Sequence, residues 1–494
     1  MRGAGCAAEL GTTRVIALAR PKTRAAGCDS GSLTPTRGSD TIPAMATLRF
    51  FLAGMLLSIA ALAATDSSRS ATFNRDILPI LQKNCQSCHR PGEVAPMSLL
   101  SYSEARPWAK AIKAAVLTRK MPPWFADPAY GHFAGDMTLS VKDIDTLVSW
   151  ADGGAPEGDA KDKPAPLTFQ TGWNIKPDMV IELPREFAVP ASGTINYKNF
   201  LVKANFQEDT WVVAAEVRPG NPAVVHHIRL DVRSPGSHWM ENAEYGVAYE
   251  GTDPQMGKNV EGENLLGKFN PGLGAQRFDV DGGAKFVPKG SDLVFNIHYT
   301  AIGKPATDRS KVGLVFAKRP PAVRYVTANV PLALNLVIPP GAGDAEVVGE
   351  VTVQTDVKLV YVQPHMHVRG KDYELRAIYP TGETETLFKG KWDFNWQLGY
   401  DLVKPLPLPK GTRLIGISHF DNSANNAFNP DSTKEVRWGP QNWDEMSAAF
   451  IGVIMDVKGD PQKVFKASGP SLLPAVPGRA GPTLSLLAAP SSTR

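Results

Sequence analysis

Cysteine is scarce in this chain of 494 residues, which contains only Cys6, Cys28, Cys85 and Cys88. The first two precede Met45, where a leader-like segment begins. Removal of that leader would leave only Cys85 and Cys88, which stand together in one short motif. We therefore expect no structural disulfide in the mature protein, so that its stability must come from the burial of apolar side chains.

The chain also lacks an excess of one charge. It contains 53 basic and 49 acidic residues, which are spread along its length without a basic stripe. Because a nucleic-acid binder needs such a stripe, we do not expect nucleic acid as a partner. At roughly 150 residues per domain, the length predicts about three domains.

The apolar run at residues 50–62 is shorter than the roughly 20 residues that span a bilayer. It follows the basic Arg49 and ends in the small-residue sequence Ala61-Leu62-Ala63. We therefore interpret residues 45–64 as a secretory signal peptide, with a membrane anchor as the alternative. This interpretation predicts export to the periplasm or the exterior. It leaves residues 1–44 as an unstructured extension or a mis-assigned start.

Residues 72–158 have the apolar spacing of short amphipathic helices. Ser140 and Asp143 form a capping-box pattern before an apolar stripe that includes Leu147, and Gly153-Gly154 supplies a stop signal. The polar, proline-bearing residues 159–176 are typical of a linker.

The later part of the chain has the pattern of short strands. Apolar or alternating runs lie between turn residues, for example at residues 179–183, 211–217, 293–299 and 358–362. Without helical segments between them, these runs favour antiparallel β-sandwiches over a parallel sheet. A second apparent start near residues 320–325 divides the region into units at 177–322 and 323–466. The tail, residues 467–494, is rich in Ser, Pro, Ala and Gly, and we expect it to be disordered.

The helical part carries the motif Cys85-Gln86-Ser87-Cys88-His89. Two cysteines three residues apart face the same way on a helical turn, where both thiols can form thioethers with one haem. The adjacent His89 is then placed to bind the iron. Half of a zinc site and a thioredoxin-like redox pair are the alternatives, but the chain has no second cysteine pair beside this one. The motif predicts covalently bound haem c.

The opposite position on the iron needs a further ligand. Met121 opens a rigid turn with two prolines after the middle helix and is the preferred candidate, while Met97 and His132 compete with it. A Met/His ligand pair raises the reduction potential of haem iron, which suits an electron carrier.

Histidine is concentrated in three further motifs. Five of the nine histidines fall in Val225-His226-His227-Ile228, Asn296-Ile297-His298-Tyr299-Thr300 and Pro364-His365-Met366-His367-Val368. Residues i and i+2 of a strand share one face, so His365 and His367 can present two imidazoles to one metal. Neighbouring His226 and His227 would face opposite ways in a regular strand. Their joint use therefore requires a bulge or a strand end.

These motifs, with the later Asp444-Glu445-Met446, resemble the copper type II ascorbate-dependent monooxygenases, which include peptidylglycine and dopamine hydroxylases. The resemblance covers roughly residues 177–457. It implies two copper ions, one that supplies electrons and one where O2 reacts. The implied ligands are His226, His227 and His298 for the first ion, and His365, His367 and Met446 for the second. The animal members are braced by disulfides, whereas this part of the chain has no cysteine.

Taken together, these features predict a multidomain fold with a small all-α cytochrome c-like domain followed by two antiparallel β-sandwich domains of jelly-roll-like form. The expected function is that of an exported copper-dependent monooxygenase, which hydroxylates a C–H bond with O2 and receives electrons through the haem. The expected partners are O2, a small-molecule or peptide substrate, and a donor such as a periplasmic cytochrome or an ascorbate-like reductant.

Two alternatives remain from the sequence, and a blue-copper site is excluded. A blue-copper site needs a Cys thiolate, and both cysteines of the mature chain belong to the haem motif. A zinc hydrolase could use Asp444 or Glu445 as a base, but zinc has no redox role and would leave the haem motif unexplained. A haem electron carrier whose β-sandwiches only bind metal or a partner is the non-enzymatic alternative.

Overall fold

The computed structural model describes residues 70–93, 95–169, 172–250 and 265–467. The interpretations of residues 1–44, of the signal peptide and of the tail beyond residue 467 concern parts of the chain outside these segments.

Short helices occupy the first described part of the chain. They are α1 (Leu78–Asn84), α2 (Tyr102–Ala105), α3 (Ala109–Leu117) and α4 (Val141–Asp152). Single helical turns are found at Phe73–Ile77, Arg106–Trp108, Ala160–Asp162, Val280–Gly282 and Pro461–Lys463. Helix α4 begins and ends as its sequence predicts, because the hydroxyl of Ser140 accepts the N–H of Asp143 at 3.1 Å and Gly153 follows the last turn. Phe73 and Trp150 are fully buried in the core that these helices share.

The fold class predicted from the sequence is wrong. A small all-α cytochrome c-like domain was expected ahead of two separate β-sandwiches, but strands dominate the described residues and the helices have only four to twelve residues each. Residues 118–139, all of them described, contain no helix. Pro122 and Pro123 follow α3 closely and cannot continue a helix.

This non-helical segment packs against strands instead of helices. Ala126 forms a β-bridge with Gly390, and Phe133 forms one with Leu402. The ring centroid of Phe133 lies 5.8 Å from that of Phe388. The apolar residues of the segment therefore bury against the sheets, which is why the helical part does not close on itself as an all-α domain.

The strands form the rest of the described chain. They are β1 (Met179–Glu182), β2 (Phe187–Val189), β3 (Lys198–Lys203), β4 (Thr210–Arg218), β5 (Val225–Arg233), β6 (Ala248–Tyr249), β7 (Leu265–Phe269), β8 (Gln276–Arg277), β9 (Gly283–Val287), β10 (Asp292–Tyr299), β11 (Ala306–Asp308), β12 (Lys311–Phe316), β13 (Val323–Asn329), β14 (Val337–Ile338), β15 (Ala345–Val353), β16 (Val357–His365), β17 (Gly370–Ile378), β18 (Thr384–Lys391), β19 (Tyr400–Leu408), β20 (Arg413–Phe420), β21 (Val436–Arg437), β22 (Ala448–Asp456) and β23 (Phe465–Ala467).

Three larger sheets organise these strands. A nine-stranded sheet has the order β1-β12-β4-β9-β13-β22-β16-β19, with β8 paired to β4. The two five-stranded sheets have the orders β6-β3-β10-β5-β7 and β18-β17-β20-β15-β23, while β11-β2 and β14-β21 are two-stranded. We call residues 172–322 the first half and residues 323–467 the second half. Each half has its own cluster of buried apolar side chains, with a few residues such as Tyr361 and Phe450 shared across the boundary.

The nine-stranded sheet runs through both halves without a break. Strands β9 and β13 pair in parallel at Gly283 with Val323 and at Ala284 with Arg324, whereas the other strand pairs of this sheet are antiparallel. The halves are therefore joined by backbone hydrogen bonds as well as by side chains. Strand β16, which carries His365, belongs to this sheet, whereas β5 and β10, which carry the other histidine motifs of the strands, belong to the five-stranded sheet of the first half.

Candidate metal centre

Three histidines of the first half converge on one point. His226 and His227 lie on β5, His298 lies on β10, and one ring nitrogen from each can be chosen so that all three lie within 4.8 Å of one another. Nδ1 of His226 is 3.1 Å from Nδ1 of His298. We call these residues the three-His cluster. Its spacing allows a single metal ion to take a nitrogen from each ring.

A β-bulge lets adjacent histidines serve the same site. His298 pairs with His227, and Tyr299 pairs with Val225, so that the register skips His226. The extra residue turns the two neighbouring side chains toward a common point, as the sequence required. The centroids of the three rings are 5.1 to 5.2 Å apart.

Burial keeps these imidazoles neutral. It lowers the pKa of His226 to about 4 and that of His298 to about 3, and the nearby His226 also lowers the pKa of His298. The pKa of His227 is held well below its ordinary value by burial and then by the neighbouring histidines, including His365 and His367. Neutral imidazole is the form that binds a metal.

The second histidine pair lies at the end of β16. His365 is the last residue of that strand, and His367 follows it just outside, with their ring centroids 5.4 Å apart and the rings nearly perpendicular. Nδ1 of His365 is 3.2 Å from Oε1 of Gln397, and Nδ1 of His367 is 3.4 Å from the carbonyl oxygen of Asp444. If each Nδ1–H donates to its oxygen, each Nε2 is left free for a metal. Burial lowers the pKa of His365 to about 3 and that of His367 to about 4.

Met446 lies in the loop that precedes β22, the strand paired with β16. His365 is opposite Ala448 at the last pair of these strands. The backbone N–H groups of His367 and Met446 both donate to Oε2 of Glu445, which brings the two backbones close together. A thioether is the soft ligand type that the resemblance implies at this position. The residue is half-buried.

Glu445 supports this loop from within the core. Its carboxylate, which is fully buried, accepts the backbone N–H of His367 at 2.9 Å, of Arg369 at 2.7 Å and of Met446 at 3.3 Å. Burial raises the pKa of Glu445 to about 8, while these backbone donors and the Arg369 guanidinium act in the opposite direction. Both oxygens are occupied in holding the loop, which does not suit the role of a catalytic base.

Side chains of the second half reach the three-His cluster. The amide nitrogen of Asn442 lies 3.1 Å from Nε2 of His298, and the Tyr197 hydroxyl donates to Oδ1 of Asn442 at 3.0 Å. The Tyr197 hydroxyl is also 3.3 Å from Nε2 of His227. The ring of Phe394 packs 5.0 Å from that of His226. Asn442 and Phe394 thus bring side chains of the second half into contact with the three-His cluster.

Sequence reasoning did not identify Tyr197, Gln397 or Asn442. Each is a common residue type without a motif of its own, and each contacts a histidine far away in the sequence. The aromatic run from Trp392 to Trp396 was noted only as a surface that could line a site. In the structure the indole N–H of Trp392 donates to the carbonyl oxygen of His367 at 3.0 Å.

The Cys85–His89 motif forms a helical turn directly after α1. The N–H of Cys88 and that of His89 both donate to the carbonyl oxygen of Cys85, at 3.1 and 2.9 Å. Nδ1 of His89 lies 3.2 Å from the carbonyl oxygen of Met97, which leaves Nε2 available to an iron. Both thiols are partly accessible. The arrangement of Cys85, Cys88 and His89 therefore fits residues that would hold a covalently bound haem.

The three candidates for the opposite iron ligand lie in different surroundings. The Met97 side chain packs against the helical core, and its own carbonyl faces His89. Met121 is half-buried just beyond α3. His132 is exposed, and its carbonyl oxygen accepts the N–H of Val403 on β19.

In the described segments, no helix has the length and hydropathy needed to cross a membrane.

No family model matches this chain, and no curated protein matches it. Solved virus structures show partial similarity. The infectious bursal disease virus Gx strain has 10% identity over 61% of this chain and 77% of the other, with a TM-score of 0.18. The major capsid protein P2 of bacteriophage PM2 has 10% identity over 53% and 98%, with a TM-score of 0.24, and Sulfolobus Turreted Icosahedral Virus has 11% over 60% and 100%, with a TM-score of 0.14. These scores are too low to indicate a common fold.

Proposed function

We propose that this protein is an exported oxidoreductase that uses haem and copper, and that it hydroxylates a C–H bond of a small-molecule or peptide substrate with O2. The observation that carries the proposal is the placement of two histidine groups at one junction, the half-buried three-His cluster and the pair of half-buried His365 and buried His367. A single metal-binding module would need only one of them.

The ligand types favour copper over zinc at the second group. The proposed ligands there are two imidazoles and the Met446 thioether, a soft donor that stabilises a reduced metal. A zinc hydrolase would also need a free base, and the carboxylate of Glu445 is engaged by three backbone N–H groups. The Cys85–His89 motif further supports redox chemistry, because a hydrolase has no use for an electron carrier.

Bound copper would supply one-electron redox chemistry and activation of O2, and bound haem would deliver electrons singly. In the net reaction one oxygen atom enters the C–H bond and the other leaves as water, with the uptake of two electrons and two protons. A donor outside the chain, such as a periplasmic cytochrome or an ascorbate-like reductant, would provide the electrons.

The chain's own residues would orient the ligands and shield them from water. Gln397 holds the His365 ring through Nδ1, and the ring of Phe450 packs 5.6 Å from the same imidazole. Asn442 holds His298, and Phe394 covers His226. Imidazoles that are held in place and shielded from water need to move less when the bound metal changes its oxidation state.

Metal and haem stoichiometry tests the proposal. The chain from Thr65 onward would be produced with haem maturation, loaded with copper, and compared with His227→Ala, His365→Ala and Met446→Ala. We expect one haem and two coppers in the parent, with His227→Ala and His365→Ala each losing a different copper. His419→Ala is the matched control, because His419 lies outside both groups and contacts Asp372 at 2.7 Å.

Stopped-flow reoxidation of the reduced haem by O2 adds a functional measurement. We expect copper to accelerate reoxidation in the parent, and the His365→Ala variant to lose that acceleration. Zinc occupancy that resists copper, or metal content that is indifferent to all three changes, would contradict the proposal. Two coppers with no effect on haem reoxidation would instead favour an electron carrier whose metal sites are not catalytic.

A further inference from the structure

A separate cavity of about 220 Å³ lies between the two halves of the chain. Strands of both halves contribute to its lining, with Lys268 and Lys285 from the first and Tyr325 and Tyr361 from the second. Trp124, from the segment that follows the helices, completes one wall. None of the histidines of the candidate metal centre lines this cavity.

Two buried lysines of this cavity have aromatic neighbours. Each is only 6% exposed. Nζ of Lys268 donates to Oε1 of Gln363 and lies 4.2 Å from the ring centroid of Phe450. Nζ of Lys285 donates to the carbonyl oxygen of Leu265, on the neighbouring part of the sheet.

Among the described residues neither lysine forms a salt bridge, and each Nζ donates to a neutral oxygen instead. The nearest acidic influences are Asp401 for Lys268 and Asp231 for Lys285, and Asp231 is already paired with Arg229 at 2.9 Å. Arg277, which also lines the cavity, pairs with Asp279. The cavity therefore has an excess of positive charge when the lysines are protonated.

Burial without a counter-ion is costly for an ammonium group. It lowers the pKa of Lys285 to about 7 and holds that of Lys268 well below its ordinary value. An anion inside the cavity would supply the missing charge to both groups at once. Such a gain would be larger than in water, because both lysines are shielded from solvent.

The residues that line the cavity favour an anion that carries an apolar organic group. Trp124, Tyr325 and Leu398 offer apolar surface, while Gln276 and Thr327 offer neutral polar groups. The volume equals that of about seven water molecules, which is enough for a small organic acid. Asp401 lines the cavity but is solvent-exposed, which indicates that the cavity communicates with the exterior.

We propose that this cavity binds a small organic carboxylate, whose oxygens pair with the ammonium groups of Lys268 and Lys285 and whose body packs against Trp124 and Tyr325. The lining of the cavity contains none of the proposed metal ligands, although, besides burial, Lys268 lowers the pKa of the nearby His365. The proposal is therefore testable whether or not the proposed oxygenase activity is found.

Isothermal titration of the full, haem-matured chain with sodium benzoate tests the proposal. Benzamide has the same shape without the charge and serves as the matched ligand control. We expect saturable benzoate binding at least about ten-fold tighter than that of benzamide, a ratio that corresponds to about 1.4 kcal/mol. The titration is repeated after dialysis against a chelator, because a carboxylate could otherwise bind to a metal.

Variants identify the groups responsible. We expect Lys268→Met and Lys285→Met each to weaken benzoate binding about ten-fold. Both replacements remove a costly buried charge at similar volume and should therefore fold, which circular dichroism checks. Lys110→Met, at an exposed lysine of α3, should have no effect. Asp401→Asn should tighten binding, because it removes the competing carboxylate.

Several results would overturn the proposal. They are equal affinity for benzoate and benzamide, loss of binding after chelation, no change in either lysine variant, or no binding below about 10 mM. Displacement of benzoate by inorganic phosphate, with phosphate bound more tightly, would show a site for an inorganic anion instead. If either methionine variant fails to fold, Lys285→Gln and the Asp401→Asn variant still separate the outcomes.

Discussion

The amide nitrogen of Asn442, in the second half of the chain, lies 3.1 Å from Nε2 of His298, in the first half. Across 144 residues of sequence this contact ties the loop before Met446 to the three-His cluster. Its partner Tyr197 connects the same amide to His227. The three-His cluster is therefore in contact with a loop of the second half.

The first prediction concerns Asn442. A metal-bound His298 would donate its free ring N–H, and Asn442 can accept it when the amide turns its Oδ1 toward the ring. Asn442→Ala should then weaken copper binding at the three-His cluster by about ten-fold, because the loss of such an oxygen acceptor typically costs 10- to 100-fold in affinity. Competition with a chromogenic chelator measures the dissociation constant. Asn425→Ala, at an exposed position, is the control. Unchanged affinity in Asn442→Ala would show that this amide does not orient His298.

The second prediction concerns the Glu445 carboxylate. At pH 9, above the pKa of about 8, Glu445→Gln replaces one acceptor oxygen by an NH2 group that would face backbone N–H donors, and it leaves Arg369 without its buried negative partner. We expect the free energy of unfolding to fall by about 2 to 4 kcal/mol, as for other broken buried pairs. Urea denaturation measures the change. The exposed Glu383→Gln should differ from the parent by less than about 0.5 kcal/mol.

The third prediction concerns pH. The pKa of Lys285 is about 7 in the folded protein, below the ordinary value of 10.5 for lysine. Between these two values the unfolded chain binds more protons than the folded one, so this group makes stability rise with pH. From about pH 7 to about pH 9, we expect the parent to gain about 2 kcal/mol relative to Lys285→Met.

Urea denaturation at several pH values measures this difference. The free energy of unfolding of Lys110→Met should change with pH as that of the parent does, because Lys110 is exposed. If the free energy of unfolding of Lys285→Met also changed with pH as that of the parent does, Lys285 would not be desolvated in solution.

The fourth prediction concerns the second haem ligand. If Met121 binds the iron, Met121→Leu should lower the reduction potential, because a thioether ligand favours the reduced state. Met97→Leu is the matched control, since the carbonyl of Met97 faces His89. Spectroelectrochemical titration of the haem measures both variants. A fall in potential for Met97→Leu alone would reverse the assignment, and no fall in either would leave His132 as the candidate.

The elements were easier to predict than their arrangement. Helix α4 follows from Ser140 and Asp143, and strands β4, β10 and β16 follow from local apolar runs, because each depends on neighbours within a few residues. The helical spacing before residue 118 agrees with helices α1 to α3, whereas the predicted all-α domain also required residues 118–139, which contain no helix. Trp124 and Phe133 have apolar side chains that suit a helical core and a sheet surface equally well.

For the candidate site too, local features follow from the sequence, whereas the grouping of distant residues does not. The pairing of His365 with His367 and the need for a bulge at His226 follow from the alternation of side chains along a strand. The grouping of His298 with His226 depends on the register of β5 with β10. No local pattern specifies that register.

The sequence by itself therefore determined the local elements, the ligand-type residues and the Cys85–His89 turn, since these rest on short-range spacing. Only the tertiary structure decided that one nine-stranded sheet joins the halves, that Asn442 reaches His298, and that Lys268 and Lys285 share a cavity without ionic partners among the described residues. Long-range packing brings these groups together. Their positions depend on how the buried surfaces of distant strands fit, which no single stretch of the sequence encodes.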